Sequence, residues 1–374
     1  MVPSLKLTLC LTQDCPLRCR YCYAGPKRRR AMARKTAEDA ICMALREAAN
    51  MGCGVDMGFF GGEPLMEWEL LQHCDAFLRR HAADLPVPPR FTVTTNGLFL
   101  TQEKADWMAG RGYQLVVSID GDEPMHNLNR VYPDGSGSHA AAAAALALAG
   151  ATPGLVTQAA CVVTPSNVHM LSSGVGWLAA HHRGMVCLNF DHWAAWNREQ
   201  LGTAAAQYRL CAGLMCQSFR TARPLIIDTF MSKMHSLLAG GYQACDHCRM
   251  GVREICVAAD GTLFPCSRLV GDAHHPALAM GSVESGIDRA KQTLFTVHRT
   301  SAACLACSFR PHCIHWCGCS NFAGTGDFAT PSPAACFMEQ SLIQTARETI
   351  HTLRQEDNAL LRGCFGHLPR YAEA

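Results

Sequence analysis

Three cysteines close to the N-terminus restrict what this chain can fold into more than any other feature. Cys15, Cys19 and Cys22 form a C-x3-C-x2-C pattern directly after an apolar stretch, Leu5–Leu11, that is typical of a buried strand. Three thiolates on one tight loop suit a 4Fe-4S cluster, because such a cluster needs four ligands and the loop supplies three. The fourth iron would then be open to a small chelating molecule. A zinc knuckle or three buried free cysteines would also account for the triplet.

Composition narrows the class of protein. The chain has 374 residues, 49% of them hydrophobic and 17% charged, which predicts a folded protein of about two domains. Its net charge of +2 gives no electrostatic reason to expect a nucleic-acid partner. The N-terminus enters the first predicted strand without a signal-peptide pattern, and the most apolar long stretch, residues 140–151, is too short to cross a bilayer. We therefore expect a cytoplasmic protein without nucleic-acid or membrane partners.

Cysteine usage points to metal binding. In a chain of this length without a signal sequence, 22 cysteines indicate metal sites more than disulfides. At least ten of them fall into two groups, at residues 15–22 and 245–336. The others lie in apolar stretches, where we expect small core residues. They include Cys10, Cys42, Cys53, Cys74, Cys161 and Cys187.

Strand-like and helix-like stretches alternate over the first 200 residues. Strands are predicted at Leu5–Leu11, Val55–Phe60, Phe91–Thr95, Gln114–Ile119, Val156–Val163 and Val186–Phe190. Helices are predicted from Thr36, as N-cap, to about Asn50, and at Glu67–His81, Thr101–Ala109, Ser138–Ala149 and Asn167–Ala180. This alternation predicts an α/β fold with a parallel sheet and right-handed crossovers. From about Gln200 to Leu238 the pattern is helical.

Two motifs in this region resemble those of the radical SAM superfamily. The cysteine pattern, with Tyr21 at its aromatic position, matches the C-x3-C-x-φ-C motif of the family, and Gly61-Gly62-Glu63-Pro64 matches its GGEP motif. The resemblance implies that Cys15, Cys19 and Cys22 hold a catalytic 4Fe-4S cluster and that the GGEP residues bind the amino group of S-adenosylmethionine. We expect the glycines to let the backbone approach this ligand and the Glu63 carboxylate to hold its ammonium group.

The same resemblance implies a partial (β/α)6 TIM-type barrel with its chemistry at the C-terminal ends of the strands. Polar residues at those ends would line the nucleoside and methionyl parts of the cofactor, although each could instead be a turn or cap residue. They are Thr94, Asn96, Ser118 and Asp120. Arg130 lies where related enzymes keep an arginine for the cofactor carboxylate, a pairing that suits a guanidinium.

The second cysteine group resembles the SPASM domain, which holds auxiliary iron-sulfur clusters. The matching elements are Cys248-x12-Gly261-x4-Cys266, then Cys304-x2-Cys307-x5-Cys313-x3-Cys317, and then Cys336. Seven cysteines are one short of the eight ligands that two clusters need. The resemblance implies one cluster on Cys245, Cys248, Cys266 and Cys317 and another on Cys304, Cys307, Cys313 and Cys336. Cys256 competes with Cys245 for the eighth position, and zinc could instead bind at Cys304 and Cys307.

These resemblances divide the chain into four segments. The predicted segments are a radical SAM partial barrel at 1–200, a helical bridge at 201–240, a small cysteine-rich SPASM domain at 241–340, and a C-terminal helix and tail at 341–374. The implied cofactors are three 4Fe-4S clusters and S-adenosylmethionine.

The implied activity is that of a radical SAM oxidoreductase and peptide maturase. It would cleave S-adenosylmethionine reductively to a 5'-deoxyadenosyl radical, which abstracts hydrogen from a residue of a ribosomally made peptide and so installs a thioether or another crosslink. A formylglycine-forming sulfatase maturase is less favoured, because Ser267 follows Cys266 where those maturases carry an aspartate. The sequence is also compatible with a redox-cofactor peptide maturase, an iron-sulfur electron carrier or a zinc-binding module.

The resemblance to radical SAM maturases also implies binding partners for this protein. We expect a peptide or protein substrate and an electron donor of the flavodoxin or ferredoxin type. The basic run from Lys27 to Lys35 would dock an acidic donor or peptide, or would be a solvated face. Only fourteen residues precede Cys15, so recognition of the substrate would need a separate protein or the mouth of the barrel. The aromatic stretch after the sixth strand, with Trp193 and Trp196, is either a substrate contact or an anchored surface loop.

Overall fold

A computed structural model describes residues 3–221, 223–271, 276–296 and 300–371. Parts of the predicted segments, namely residues 1–2, 222, 272–275, 297–299 and 372–374, lie outside the described residues.

The strands within the described residues follow the chain from end to end. They are β1 (Ser4–Thr12), β2 (Gly54–Gly61), β3 (Arg90–Thr95), β4 (Tyr113–Ser118), β5 (Val156–Val163), β6 (Met185–Phe190), β7 (Ile226–Ile227), β8 (Glu254–Val257), β9 (Leu263–Phe264), β10 (Gly281–Ser282) and β11 (Gly286–Ile287).

The α-helices in the same ranges mostly alternate with these strands. They are α1 (Arg34–Met51), α2 (Trp68–His81), α3 (Gln102–Gly110), α4 (Glu123–Asn127), α5 (His139–Ala151), α6 (Leu171–His181), α7 (Arg198–Phe219), α8 (Asp228–Ala239), α9 (Arg289–Thr296), α10 (Ala302–Leu305), α11 (Gly318–Thr325), α12 (Pro333–Gln355) and α13 (Ala359–Phe365). Short 3-10 helices occur at Pro64–Glu67, Val168–Met170, Ala244–Asp246, Ser267–Leu269, Pro276–Leu278 and Arg310–His312. No helix formed by the described residues combines the length and the hydrophobicity needed to cross a membrane.

The chain forms two compact units, each built from separated segments. The first unit contains Met1–Ser118, Arg130–Thr157 and Cys248–His298, and the second contains Ile119–Asn129, Gln158–His247 and Arg299–Ala374. The predicted segment boundaries near residues 200, 240 and 340 stay predictions.

A mostly parallel sheet forms the centre of the first unit. Its strand order is β9-β8-β1-β2-β3-β4, and only the β8–β9 pair is antiparallel. Leu9 lies beside Phe59, Phe59 beside Val93, and Val93 beside Leu115. All four side chains are buried, so the register of the strands is held by a continuous apolar row.

The opposite face of β3 and β4 is more polar. Successive side chains of a strand point to opposite faces. Thr92 and Thr94 on β3 and Gln114 and Ser118 on β4 are half-buried, whereas their sequence neighbours on these strands are mostly buried. Polar positions that are only partly covered are typical of a face that lines a binding cavity rather than a packed core.

The second unit contains the remaining parallel strands and the long C-terminal helix. β5 pairs with β6, and β6 pairs with the two-residue strand β7. The long helix α12 packs on α7 and α8. Leu342, Ala346 and Ile350 of α12 are buried because they recur at helical spacing on one face.

The six predicted barrel strands are confirmed to within one residue at each end. The predicted N-cap Thr36 is wrong, because α1 begins at Arg34 and its N-cap is Ala33. The predicted helix from Asn167 starts as a 3-10 turn before α6. The helical bridge is interrupted by β7, whose two residues have too short a pattern to be read from sequence.

Candidate active site

The cysteine loop, residues 13–22, connects β1 to the segment before α1. The Cys15 backbone N–H donates to Asp14 Oδ1 at 2.9 Å, and the Cys22 N–H donates to the Cys19 carbonyl at 3.1 Å. Arg18 Nη1 donates to the carbonyls of Cys15 at 2.7 Å and of Leu17 at 3.0 Å. These bonds use the loop's own polar groups to hold its three cysteines in one compact turn.

The GGEP turn, residues 61–64, packs against the start of the cysteine loop. The Gly62 N–H donates to the Thr12 carbonyl at 2.7 Å, and the Glu63 N–H donates to the Asp14 carbonyl at 2.9 Å. A Cβ atom on Gly61 would lie 2.5 Å from the Thr12 oxygen, and one on Gly62 would lie 1.9 Å from the Asp14 oxygen. The glycines are therefore needed for contact with the cysteine loop, which is a different reason from the predicted approach to a ligand.

Glu63 connects the GGEP turn to the end of β3. Its side chain is 0% exposed; Oε1 accepts hydrogen bonds from Leu65 N–H at 3.0 Å and Thr95 O–H at 2.7 Å, and Oε2 accepts from Asn96 N–H at 2.8 Å. Burial raises the pKa of this carboxyl, while the three hydrogen bonds oppose that rise. Both oxygens have protein donors, so the contact visible here is a structural one, and the predicted contact with an ammonium group stays a prediction.

Two N–H donors from outside the cysteine triplet reach its sulfur atoms. Asn96 Nδ2 lies 3.5 Å from Cys15 Sγ, and Lys27 Nζ lies 2.9 Å from Cys22 Sγ. Hydrogen bonds to cysteine sulfur are among the features that set the potential of an iron-sulfur cluster. Sequence reasoning placed Lys27 only in the basic run. Its position five residues after Cys22 was the signal that could have singled it out.

Arg130 lies beside the cysteine loop. Its guanidinium is 5.3 Å from the centre of the Tyr21 ring, and the residue is 6% exposed. The Arg18 N–H donates to the Val131 carbonyl at 2.7 Å, and the Arg130 carbonyl accepts from Ser138 O–H at 2.9 Å. A buried guanidinium held in this way is suited to a carboxylate ligand.

The other predicted cofactor contacts fall at strand ends, as expected. Thr94 is the last but one residue of β3, Ser118 ends β4, and Pro64 begins the 3-10 helix after β2. Asp120 belongs to the second unit, where it is buried and its Oδ1 accepts from the Val162 N–H at 2.9 Å. All of the predicted residues at this site except Asp120 thus belong to the first unit, and the cofactor contacts of Thr94 and Ser118 stay predictions.

The residues present fit an iron-sulfur cluster with an open iron. Three cysteines lie on one loop, two nitrogen donors reach their sulfurs, and a buried arginine lies next to them. Burial raises the pKa of the Cys15 thiol, so binding of iron there would release a proton. In the part of the chain that the structure describes, no three His, Cys, Asp or Glu side chains are grouped so as to hold a single metal ion.

Seven cysteines of the C-terminal group belong to the second unit, and four of them form one predicted ligand set, Cys304, Cys307, Cys313 and Cys336. Burial raises the pKa of the Cys336 thiol, and the neighbouring Cys304 and Cys307 raise it further. The Cys313 segment is tied to α12 because the Ile314 N–H donates to Glu339 Oε2 at 2.8 Å. Glu339 lies three residues after Cys336, on the same face of the helix. Cys304 and Cys307 thus lie near Cys336, and the Cys313 thiol lies beside Glu339 of α12. The assembly of these four cysteines into one ligand set stays a prediction.

The second predicted ligand set draws on both units, and its assembly stays a prediction. Cys248 and Cys266 are in the first unit, and Cys245 and Cys317 are in the second. The two candidates for the eighth ligand differ in environment. Cys245 is exposed, whereas Cys256 is buried on β8 with its sulfur 3.5 Å from that of Cys10.

Comparisons with known proteins bear on the family and the fold of this chain. Residues 9–159 match the family model of the radical SAM superfamily, so the predicted resemblance is confirmed for this part of the chain. An uncharacterized protein of Methanocaldococcus jannaschii, MJ0907, is 30% identical over 139 residues, which are 37% of this chain and 46% of that protein. The chain therefore spans less than half the length of this curated relative.

Solved structures show the same fold over most of the chain. Native anSMEcpe with bound AdoMet has a TM-score of 0.78 at 17% identity, covering 94% of this chain and 99% of that one. SuiB of Streptococcus suis, bound to its precursor peptide SuiA, has a TM-score of 0.61 at 17% identity, covering 90% of this chain and 76% of that one. The predicted fold class, an α/β partial (β/α)6 barrel followed by a small cysteine-rich region, is confirmed.

Proposed function

We propose that this protein is a radical SAM enzyme that modifies a ribosomally made peptide. The observation that carries the proposal is the cysteine loop itself. The start of this loop packs on the GGEP turn, Cys15 and Cys22 receive hydrogen bonds from Asn96 and Lys27, and the buried Arg130 lies beside Tyr21. This arrangement lies within the residues that match the radical SAM superfamily.

The chain's own residues would hold and orient the cofactors. Cys15, Cys19 and Cys22 would bind three irons of a 4Fe-4S cluster. With S-adenosylmethionine bound, this cluster supplies a 5'-deoxyadenosyl radical that takes hydrogen from the substrate. Arg130 would bind the cofactor carboxylate, and Glu63 would keep the ends of β2 and β3 together beside the cluster.

The polar strand ends would line the rest of the cofactor site. Thr94 and Ser118, near the ends of β3 and β4 on the half-buried polar face, would bind the nucleoside part of the cofactor. Positioning of this kind is the protein's main contribution when a cofactor supplies the reactive species.

The C-terminal cysteines would form a SPASM domain with two auxiliary 4Fe-4S clusters. One of them is supported by the proximity of Cys304 and Cys307 to Cys336 and by the contact of the Cys313 segment with α12. An auxiliary cluster would accept an electron from the substrate radical, bind a substrate thiolate, or stabilise the fold.

A peptide substrate is supported by two observations. Structures of the same fold include anSMEcpe with the Cp18Cys peptide and SuiB with its precursor peptide. In the second unit, Phe190 stacks on Trp196 at 4.4 Å, and Trp193 contacts Phe322 at 6.4 Å between ring centres. These aromatic side chains are half-buried, so part of their surface is open to a ligand such as a peptide. A thioether or other crosslink is the favoured product.

Formylglycine formation and redox-cofactor maturation are the competing peptide reactions within the same proposal. The electron donor would be a flavodoxin or ferredoxin, and a separate recognition protein would assist if the barrel mouth does not bind the peptide alone.

Cofactor cleavage tests the proposal directly. Anaerobically reconstituted protein should hold about twelve irons per chain and form 5'-deoxyadenosine when dithionite and S-adenosylmethionine are added. Cys19→Ala should abolish 5'-deoxyadenosine formation and leave up to about eight irons, because only the first cluster loses a ligand. Cleavage that survives Cys19→Ala would refute the assignment of the cysteine loop. Zinc without iron in the native protein would favour a zinc-binding module instead.

A further inference from the structure

A buried ion pair in the second unit contacts the backbone on both sides of Cys313. Lys233 of α8 and Glu339 of α12 are 2% and 13% exposed, and Lys233 Nζ lies 2.6 Å from Glu339 Oε2. The same Nζ donates to the His312 carbonyl at 3.1 Å. The same Oε2 accepts from the Ile314 N–H at 2.8 Å. One lysine and one carboxylate oxygen therefore hold the residue before and the residue after this cysteine.

Further hydrogen bonds hold the segment around Cys313, residues 311–315. The Tyr242 N–H donates to the Pro311 carbonyl at 2.8 Å, and Ser236 Oγ lies 3.1 Å from His312 Nδ1. His315 Nδ1 lies 3.2 Å from the Cys313 carbonyl, and Asn321 Nδ2 donates to the His315 carbonyl at 2.9 Å. Each residue from 311 to 315 is thus tied to the unit through a backbone group, so its conformation has little freedom.

Stability alone does not explain the ion pair. Taking two charges out of water costs several kcal/mol each, and well-packed apolar residues of similar volume often stabilise a protein as much or more. The pair differs from an apolar contact in being able to hydrogen-bond the backbone at two defined points. A hydrophobic replacement would fill the space and lose both bonds.

We infer that Lys233 and Glu339 are positioning residues that set the direction of the Cys313 side chain toward the auxiliary cluster. The inference rests on the proposed function, since it assigns Cys313 to that cluster with Cys304, Cys307 and Cys336. Because Glu339 follows Cys336 by three residues on α12, the pair also fixes the Cys313 segment relative to a second ligand of the set. Lys233 is a residue of α8 and so ties a third element to the same point.

Conservative and non-conservative variants separate positioning from packing. Lys233→Arg keeps hydrogen-bond donors for the His312 carbonyl and for Glu339 Oε2. Lys233→Met fills the same space but has no donors. Glu339→Gln keeps one oxygen that can accept from Lys233 and Ile314, whereas Glu339→Leu keeps none. Asp75→Asn is the matched control, because Asp75 is a fully buried carboxylate paired with Arg79 at 2.8 Å in the first unit.

The test uses the full chain carrying Cys19→Ala, so that the auxiliary clusters dominate the electron paramagnetic resonance spectrum. Iron, sulfide and the spectrum are measured after anaerobic reconstitution, and folding is checked by circular dichroism. We expect Lys233→Met and Glu339→Leu to lose about four irons or to change the spectrum, as Cys313→Ala does. Lys233→Arg, Glu339→Gln and Asp75→Asn should keep the parent iron content and spectrum.

The outcomes distinguish the inference from the proposed function. If Cys313→Ala lowers iron but folded Lys233→Met and Glu339→Leu match the parent, the inference is wrong and the auxiliary cluster stands. If Cys313→Ala leaves iron unchanged, both the cluster assignment and the inference fail. If Lys233→Met does not fold, the comparison of Glu339→Leu with Glu339→Gln decides the question.

Discussion

Glu63 shows how one buried side chain can organise a candidate cofactor site through its contacts with the protein. Its two oxygens hold three donors from the GGEP turn and from the end of β3. One of these donors, Asn96, also reaches Cys15 Sγ through its side chain. The Glu63 carboxylate is therefore connected through Asn96 to Cys15, a proposed cluster ligand.

Replacing Glu63 should damage both stability and cofactor binding. Glu63→Ala leaves three buried donors unpaired, at about 1–3 kcal/mol each before relaxation, so we expect a loss of several kcal/mol of unfolding free energy. Urea unfolding and S-adenosylmethionine binding by the reconstituted protein measure the two effects. Glu69→Ala, at an exposed position of α2, is the control and should change neither. A stable Glu63→Ala protein with normal cofactor binding would contradict this role.

His182, between α6 and β6, predicts a pH dependence. Burial lowers the pKa of its imidazole, while a hydrogen bond with the Met185 backbone opposes this effect. The folded state thus favours the neutral ring. Its contribution to stability is complete above the ordinary pKa of about 6.5 and is lost as pH falls through the lower folded-state value.

His182→Gln should therefore flatten the fall in stability between about pH 7 and pH 5, by about 1.4 kcal/mol for each unit of lowered pKa. Thermal unfolding across this pH range measures the effect. His181→Gln, at the exposed neighbouring position, should keep the slope of the parent protein. Equal slopes for His182→Gln and the parent would show that this imidazole is not the cause.

At the scale of the elements, one buried carboxylate of the first unit, Asp75, connects helix α2 to the end of α3 and to strand β4. Asp75 of α2 is fully buried and accepts hydrogen bonds from Arg79 Nε at 2.8 Å, Arg111 Nε at 2.8 Å and Tyr113 O–H at 3.1 Å. Arg111 directly follows α3, and Tyr113 begins β4. The network thus ties α2 to the α3–β4 connection.

Asp75→Ala should cost about 1–3 kcal/mol of unfolding free energy, because it leaves the buried Tyr113 hydroxyl without its acceptor, whereas water can solvate the partly exposed Arg79 and Arg111. Denaturant unfolding measures this loss. Asp106→Ala, on the exposed face of α3, should stay within about 0.5 kcal/mol of the parent. A small effect of Asp75→Ala would mean that solvent replaces the lost acceptor.

The strands near the active site were predictable because their signals are local. Runs such as Val55–Phe60 and Phe91–Thr95 are bounded by turn residues, and their apolar positions are set by burial on one face or both. The pairing of β8 with β1 was not predictable. This pairing joins residues about 250 positions apart in the sequence, and the four residues of β8 have no pattern that indicates which strand they pair with.

At the scale of the whole molecule, the proposed three clusters need eleven cysteines, and the sequence leaves two candidates for the eighth auxiliary ligand. Cys245 is exposed in the second unit, whereas Cys256 lies in the sheet of the first unit against Cys10. A cysteine in the middle of a strand has its sulfur packed by the core, so we favour Cys245.

Cys245→Ala should lower the iron content by up to about four atoms per chain and leave 5'-deoxyadenosine formation by the first cluster intact. Cys256→Ala should keep the iron and instead lower the unfolding temperature, because it removes a buried sulfur from the sheet. Iron analysis and thermal unfolding of both variants make the comparison. Loss of iron only in Cys256→Ala would transfer the ligand role to that residue.

The sequence by itself determined the cysteine and GGEP motifs and the order of the barrel elements. A C-x3-C-x2-C loop after a strand and a GGEP motif after the next strand are local patterns. Such patterns can be recognised in the sequence without knowing the fold. Tertiary structure alone decided which distant residues act on these motifs. Asn96 reaches the Cys15 sulfur, Gly62 packs on Asp14, and Lys233 and Glu339 bind the residues on either side of Cys313. Each of these depends on side-chain direction and on contacts between separate segments, which spacing along the chain does not encode.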